Sequence, residues 1–156
     1  MNLRPATPAD IPRLMEIERA AATAARWTET NYRRLFAGTG EGVQRLAWVL
    51  EDEGEIVGFL VASGVGTEWE LENVVVAESA RRRGLAARLL RHLLSVLPER
   101  DAGELRLEVR ESNAAARALY AQAGFQECGR RADYYSSPQE DAVLYRLDFP
   151  QDSKKR

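Results

Sequence analysis

The sequence predicts an α/β sandwich around a mixed β-sheet, and three observations carry this. Apolar residues recur at helical spacing in some segments and alternate in others, in the order strand, two helices, three strands, helix, strand, helix, two strands. At 156 residues and 45% hydrophobic content, the chain can fill one core well and is short for two. It carries no internal repeat, low-complexity tract or linker, so residues 1–149 are expected to form one domain, followed by a disordered polar tail at 150–156.

Each element has its own signal. Thr7-Pro8-Ala9-Asp10 offers an N-cap threonine, a proline at the first helical position and an acid at the third; Ile11, Leu14, Ile17 and Ala21 follow at helical spacing, predicting a helix over 8–24. Trp27-Thr28-Glu29 opens a short second helix with Tyr32, Leu35 and Phe36 on its apolar side, ending in the glycines at 38, 40 and 42. Leu46–Leu50, a Glu53-Gly54 turn and Ile56–Ala62 read as a hairpin. Trp69–Val76 is the next strand; Trp69 and Leu71 alternate with Glu68, Glu70 and Glu72, whereas Val74, Val75 and Val76 are apolar on both faces. That change predicts double-sided burial or a bulge near Asn73.

A long amphipathic helix runs from Leu85 to Leu97, with Leu85, Leu89, Leu90, Leu93, Leu94 and Leu97 inward. Leu105, Leu107 and Val109 alternate with Arg106, Glu108 and Arg110 in a further strand, and a helix over 113–123 closes on Gly124. Two final strands, 125–131 and 142–148, flank a polar loop from Asp133 to Pro138.

Composition removes several function classes. Twenty-two basic residues against 24 acidic ones give a net charge of −2, which argues against direct nucleic-acid binding or a polybasic membrane anchor. No apolar run approaches a membrane span, and the first 20 residues are too charged for a signal peptide. One cysteine and one histidine cannot build a Cys/His zinc cluster or an internal disulfide, so no metal site is expected and a reducing cytoplasm fits. The only lysines, Lys154 and Lys155, lie in the tail, which sets aside Schiff-base chemistry and a phosphate-loop lysine. His92 shares its helix side with Arg88, Arg91 and Ser95 and is expected in solvent, and Cys128 is expected as a packed small residue.

Two segments remain for chemistry. Val74–Val76 lead into Arg81-Arg82-Arg83-Gly84 and then a helix, an arrangement whose free N–H groups, helix dipole and glycine suit a phosphate. Glu108 stands on the polar face of its strand, where an ordinary salt-bridged surface is the plain alternative. Tyr120 lies seven residues after Asn113, placing both on one helix face, with a core-edge tyrosine as its plain alternative.

These residues resemble a known family. Arg81–Ala86 after a valine-rich strand looks like the acyl-CoA pyrophosphate loop of the Gcn5-related N-acetyltransferases (GNAT). Leu107-Glu108-Val109-Arg110, Ser112-Asn113, Ala118-Leu119-Tyr120 and Gly124-Phe125 resemble its RimI branch, which acetylates protein N-terminal α-amines, in its best-known role those of a ribosomal protein. Trp27-Thr28-Glu29 and the run from Gly129 to Ala142 look like the same branch.

The resemblance implies a GNAT fold, with about seven strands in a mixed central sheet and about four flanking helices. It also implies acetyl-CoA as donor. Val74, Val75 and Val76 would contact the thioester and pantetheine arm, while Arg81, Arg82, Arg83, Gly84, Leu85, Ala86 and Ala87 would form the pyrophosphate site. Asn113 would bond the cofactor arm, Glu108 would act as general base, Tyr120 as general acid, and Tyr134 and Tyr135 would lie near the acceptor peptide. The chain departs from the branch at Arg26, where proline is usual, at Ala77-Glu78, which replace Asp-Pro, and at Glu72, where many members are apolar.

Acetyl transfer needs such groups. A carboxylate frees the amine's lone pair, a phenol protonates the departing thiolate, and N–H groups from a bulged strand near Val74–Val76 stabilise the oxyanion. Glu72, nearest the bulge, could meet a cationic acceptor amine. The expected partner is a protein N-terminus, a ribosomal protein being the branch's example. A small-amine or lysine acetyltransferase and a silent CoA-binding sensor remain the alternatives.

Overall fold

The structure is a computed structural model that describes residues 1–21, 27–37 and 42–150. Seven strands form one sheet: β1 (Asn2–Pro5), β2 (Val43–Asp52), β3 (Glu55–Val65), β4 (Glu68–Val76), β5 (Glu104–Arg110), β6 (Gln126–Tyr135) and β7 (Glu140–Asp148). Four helices accompany them: α1 (Ile11–Ala20), α2 (Glu29–Arg34), α3 (Leu85–Val96) and α4 (Ala114–Gln122). The sheet order is β1-β2-β3-β4-β5-β7-β6, and the β4–β5 pair is parallel while the others are antiparallel. The predicted class and element order are borne out.

Alternation along the central strands divides the core between two faces. Trp48, Leu50, Leu60, Ala62, Leu105 and Leu107 pack with Leu85, Leu89 and Leu93 of α3 and with Tyr120 of α4. Val49, Phe59, Val61 and Val75 pack on the other face with Ile11, Leu14 and Ile17 of α1 and with Tyr32 of α2. Both faces of β3 are therefore covered, which is why Ile56–Ala62 carries no polar side chain.

The start of α1 follows its capping signal. The Thr7 N–H donates to Asp10 Oδ2 at 2.7 Å, and Arg4 grips Asp10 through both terminal nitrogens at 2.9 Å while its Nε donates to Glu51 at 2.7 Å. The first turn, Pro8–Asp10, is 3-10, and α1 itself ends at Ala20. Of the expected continuation to residue 24, Ala21 is extended, and residues 22–24, like Arg26, the glycines at 38 and 40, and tail residues 151–156, lie outside the described residues.

Four expectations differ from the structure. Asp133, Tyr134 and Tyr135 belong to β6 instead of the loop, because Tyr135 pairs with Glu140 across a short turn. Cys128 is exposed: Glu127 faces Tyr145 and Gly129 faces Leu144, so Cys128 is an extra residue pushed out of the edge-strand register. His92 is half-buried, with its ring perpendicular to that of Trp48 at 4.5 Å between centroids. The final turn after α3 is a separate 3-10 segment, Leu97–Arg100, because Pro98 cannot donate to a continuing helix.

Candidate active site between the splayed strands

Strands β4 and β5 pair only over Glu68–Glu70 against Glu104–Arg106. Beyond that point β4 stays with β3 as far as Val76 opposite Gly58, and β5 stays with β7 as far as Arg110 opposite Ala142. The two central strands thus open into a wedge, and β4 presents its main chain there without a strand partner.

The predicted bulge sits inside this wedge. Val61 faces Asn73 while Ala62 faces Leu71, so Glu72 is the inserted residue. The insertion moves Val75 onto the α1 face, whereas Val74 and Val76 pack toward α3.

At the open end, the turn into α3 has the backbone shape of an anion cradle. Arg82 and Gly84 both have left-handed backbones, φ 65° and 72°, flanking Arg83, so successive N–H groups converge as in anion-binding nests. The first bond within α3 runs from Arg88 N–H to the Gly84 carbonyl at 3.1 Å, leaving the N–H groups of Leu85, Ala86 and Ala87 without helical partners. Arg83 is held by Asp52 through both terminal nitrogens at 3.2 Å, and Arg81 Nε donates to the Val76 carbonyl at 3.4 Å. These contacts tie the turn to the ends of β2 and β4. A pyrophosphate fits this donor set and the positive end of a three-turn helix.

Asn113 caps α4, its Oδ1 accepting from Ala116 N–H at 3.2 Å. Its Nδ2 donor group is therefore the part of the side chain suited to a ligand arm.

Glu108 points away from the α3 face and is 23% exposed in its side chain. Its flanking arginines are engaged elsewhere, Arg106 with Glu104 and Arg110 with Glu140 at 3.2 Å. Glu108 instead meets Arg131 Nε at 3.3 Å. The Glu108 carboxylate, through hydrogen bonding and its charge, raises the pKa of the nearby Tyr134 phenol. Tyr135 is pushed up to about 12, first by burial and then by the charge of Glu108. The Arg110 guanidinium lies over its ring at 4.4 Å.

Around Glu108 lies a cavity of about 360 Å³ whose lining includes Ser63, Gly64, Glu70, Cys128 and Arg131. Burial raises the Glu70 pKa, and the neighbouring charges of Glu72 and Glu108 add to the rise. Burial likewise raises that of Glu72, against the opposing effects of Arg45 and a hydrogen bond from Ser63.

Tyr120 is placed differently from Glu108. Its ring belongs to the α3-side core, edge-on to Phe125 at 5.6 Å and tilted against Tyr145 at 6.1 Å. Burial holds its hydroxyl protonated far above the ordinary phenol range. Tyr135 senses both residues, since its charge acts on Tyr120 and that of Glu108 acts on it.

Sequence reasoning missed Glu140. It accepts from the Ser112 N–H and hydroxyl at 2.9 Å and from Arg110, fastening the β6–β7 turn to the end of β5. Arg110 Nη1 also donates to the Pro138 carbonyl at 3.0 Å. Opposite charges 30 residues apart carry no periodic signal. Among the described residues no group of His, Cys, Asp or Glu has the arrangement of a metal site, and no helix is long and apolar enough to cross a membrane.

The model of the Acetyltransferase (GNAT) family matches residues 11–125, well over half the chain. The chain belongs to the GNAT family. Among GNAT relatives it is 36% identical over 140 residues to the ribosomal protein bS18-alanine N-acetyltransferase of Escherichia coli strain K12, covering 88% of this chain and 90% of that one. Identity to the corresponding Salmonella typhimurium enzyme is 38% over the same coverage. The crystal structure of the Escherichia coli ribosomal-protein-S18-alanine N-acetyltransferase superposes with a TM-score of 0.85 at 31% identity, covering 99% of this chain and 97% of that one. These matches bear out the resemblance to the RimI branch, and with it the expectation of an acetyltransferase of this fold.

Proposed function

We propose that the chain transfers the acetyl group of acetyl-CoA directly to the N-terminal α-amine of a protein, a ribosomal protein being the acceptor class of its named relatives. The wedge between β4 and β5 carries this reading, with the anion cradle at one end and Glu108 beside an acid-lined cavity. When bound, acetyl-CoA supplies the activated thioester. Arg82–Ala87 hold its pyrophosphate, Arg81 and Arg83 brace that turn, and Asn113 reaches the pantetheine arm.

Those main-chain N–H groups of Val74–Val76 that turn away from β3 would stabilise the charge that develops on the thioester carbonyl. Glu108, oriented by Arg131 and Tyr134, takes the proton that the amine must lose. As the C–N bond forms and the C–S bond breaks, the Tyr120 hydroxyl returns a proton to sulfur, and burial keeps that hydroxyl protonated beforehand. Glu72, Tyr134 and Tyr135 border the acceptor.

An α-amine of pKa about 7.7–8.0 is roughly one tenth neutral at pH 7, whereas a lysine of pKa about 10.4 is neutral in less than about one part in a thousand. A partly solvated carboxylate is an adequate base for the first and a weak one for the second. The cytoplasm, where such acceptors are made, is the compartment that goes with this reading.

Mass spectrometry of acetyl-CoA incubations with peptides differing in their first residues tests the proposal, with N-terminally blocked, lysine-containing peptides as controls. One added acetyl on free N-termini alone is the expected result. Acetylation of the blocked peptides or of small amines moves the acceptor to those classes, and acetyl-CoA binding without turnover on any acceptor makes the chain a sensor.

A further inference from the structure

Glu18 takes no part in the chemistry above, yet it is the most deeply buried charged side chain among the described residues, at 2% exposure. A carboxylate in that setting is strongly unfavourable unless it is hydrogen-bonded. Its two oxygens serve two different elements. Oε1 accepts from the backbone N–H of Trp27 at 2.8 Å, just before the Thr28 cap of α2, and Oε2 accepts from Asn73 Nδ2 in β4 at 2.6 Å. The Tyr32 phenol lies beside it, raised far above its ordinary pKa by burial and then by the Glu18 charge.

Asn73 is the first residue of β4 to resume pairing after the inserted Glu72. Loss of the inserted residue would turn over every later side chain and re-aim the main chain of Val74–Val76. We propose that Glu18 is a positioning residue for acetyl transfer: by bonding Trp27 and Asn73 together, it pins the start of α2 to the bulged end of β4. The helical layer on the face of Glu70, Glu72 and Glu108 and the free N–H groups of the wedge thereby keep one relative placement. This inference rests on the reading of the chain as an N-terminal acetyltransferase.

The test uses the full chain, the peptide the wild type acetylates best, titration calorimetry with acetyl-CoA, and thermal melting of each variant. Asn73→Asp sets two carboxylates against each other, whereas the double exchange Glu18→Gln with Asn73→Asp returns one donor and one acceptor with the direction reversed. Asn73→Asp is expected to lower kcat/KM for the peptide at least about tenfold with acetyl-CoA affinity within about twofold, and the double exchange to recover to within about threefold of wild type.

Unchanged kinetic constants in folded variants, with only the melting temperature lowered, make Glu18 a structural anchor and overturn the proposal. A double exchange no better than Asn73→Asp overturns it too. Should Asn73→Asp not fold, Glu18→Gln alone is read the same way: a loss of at least about threefold in kcat/KM at intact acetyl-CoA affinity supports the proposal, and no loss overturns it. An inactive wild type defeats the N-terminal reading itself and this inference with it, whereas an active wild type with unaltered variants defeats this inference alone.

Discussion

At Glu108 a carboxylate whose strand neighbours Arg106 and Arg110 are both engaged elsewhere meets Arg131 and Tyr134 from β6, reaching across β7. That arrangement leaves it oriented and in contact with the cavity. Glu108→Gln is expected to lower kcat at pH 7 by about 10²–10³-fold with acetyl-CoA affinity nearly unchanged. The deficit should narrow as pH rises through the α-amine's own range of about 7.7–8.0, where solvent supplies the neutral amine. A pH–rate profile parallel to that of wild type would remove Glu108 from the mechanism. Tyr120→Phe keeps the ring contacts with Phe125 and Tyr145 while deleting the hydroxyl proposed as the acid, so thiol release should slow by about tenfold or more on an intact fold. Turnover equal to wild type would show that the leaving thiolate finds its proton elsewhere. Alternation along β5 was enough to put Glu108 on the polar face, but Arg131 could not be found that way. Its approach depends on two register shifts in β6, which no local pattern encodes.

Two glycines separate backbone freedom from steric room at the scale of elements. Gly84 begins α3 with φ 72°, and a Cβ there would meet nothing within 4 Å. Gly84→Ala should therefore cost only the left-handed backbone preference, about 1–2 kcal/mol, seen as a melting-point drop of a few degrees. Acetyl-CoA binding should weaken with it, because the same conformation aims the cradle's N–H groups. Gly64 in β3 has no unusual φ, yet its Cβ would lie 2.3 Å from the Trp69 ring. Trp69 is one of three β4 residues that pair with β5, so Gly64→Ala should cost about 1–3 kcal/mol by overpacking and also shift the closed end of the wedge. Differential scanning calorimetry and kcat/KM on the same samples check both; a Gly64→Ala protein as stable and active as wild type would contradict the close Trp69 contact.

Across the whole molecule, carboxylates shifted in opposite directions should shape the pH dependence of stability. The Arg4 guanidinium holds Asp10 below its ordinary 3.8, so this contribution is present above that value and is lost as pH falls through the lower folded value. Asp10→Asn should then be less stable than wild type at pH 7 and converge with it at strongly acidic pH. Glu72 is raised above its ordinary 4.5, chiefly by burial, so the folded state holds its proton longer and stability falls as pH rises through the window between the two values. Glu72→Gln should accordingly be more stable than wild type at neutral pH, and the gain should vanish below the ordinary carboxylate range. Urea unfolding at several pH values reads both signs, and a Glu72→Gln protein weakened at pH 7 would reverse the second.

The sequence by itself determined the element order, the two-faced burial of the central strands and the basic glycine turn at Arg81–Ala87, and it narrowed the stretch near Asn73 to double-sided burial or a bulge. Those features follow from periodicity, capping and turn chemistry, which act within a few residues of one another. Only the tertiary structure decided that Glu108 would meet Arg131, that Cys128 would be pushed into solvent, that Glu140 would fasten the last turn, and that Glu18 would join α2 to β4. Each of these depends on which strand lies beside which and in what register. The Glu108–Arg131, Ser112–Glu140 and Glu18–Asn73 contacts join residues 23, 28 and 55 positions apart, and Cys128 turns on a single inserted residue, so their cause lies in the assembled sheet.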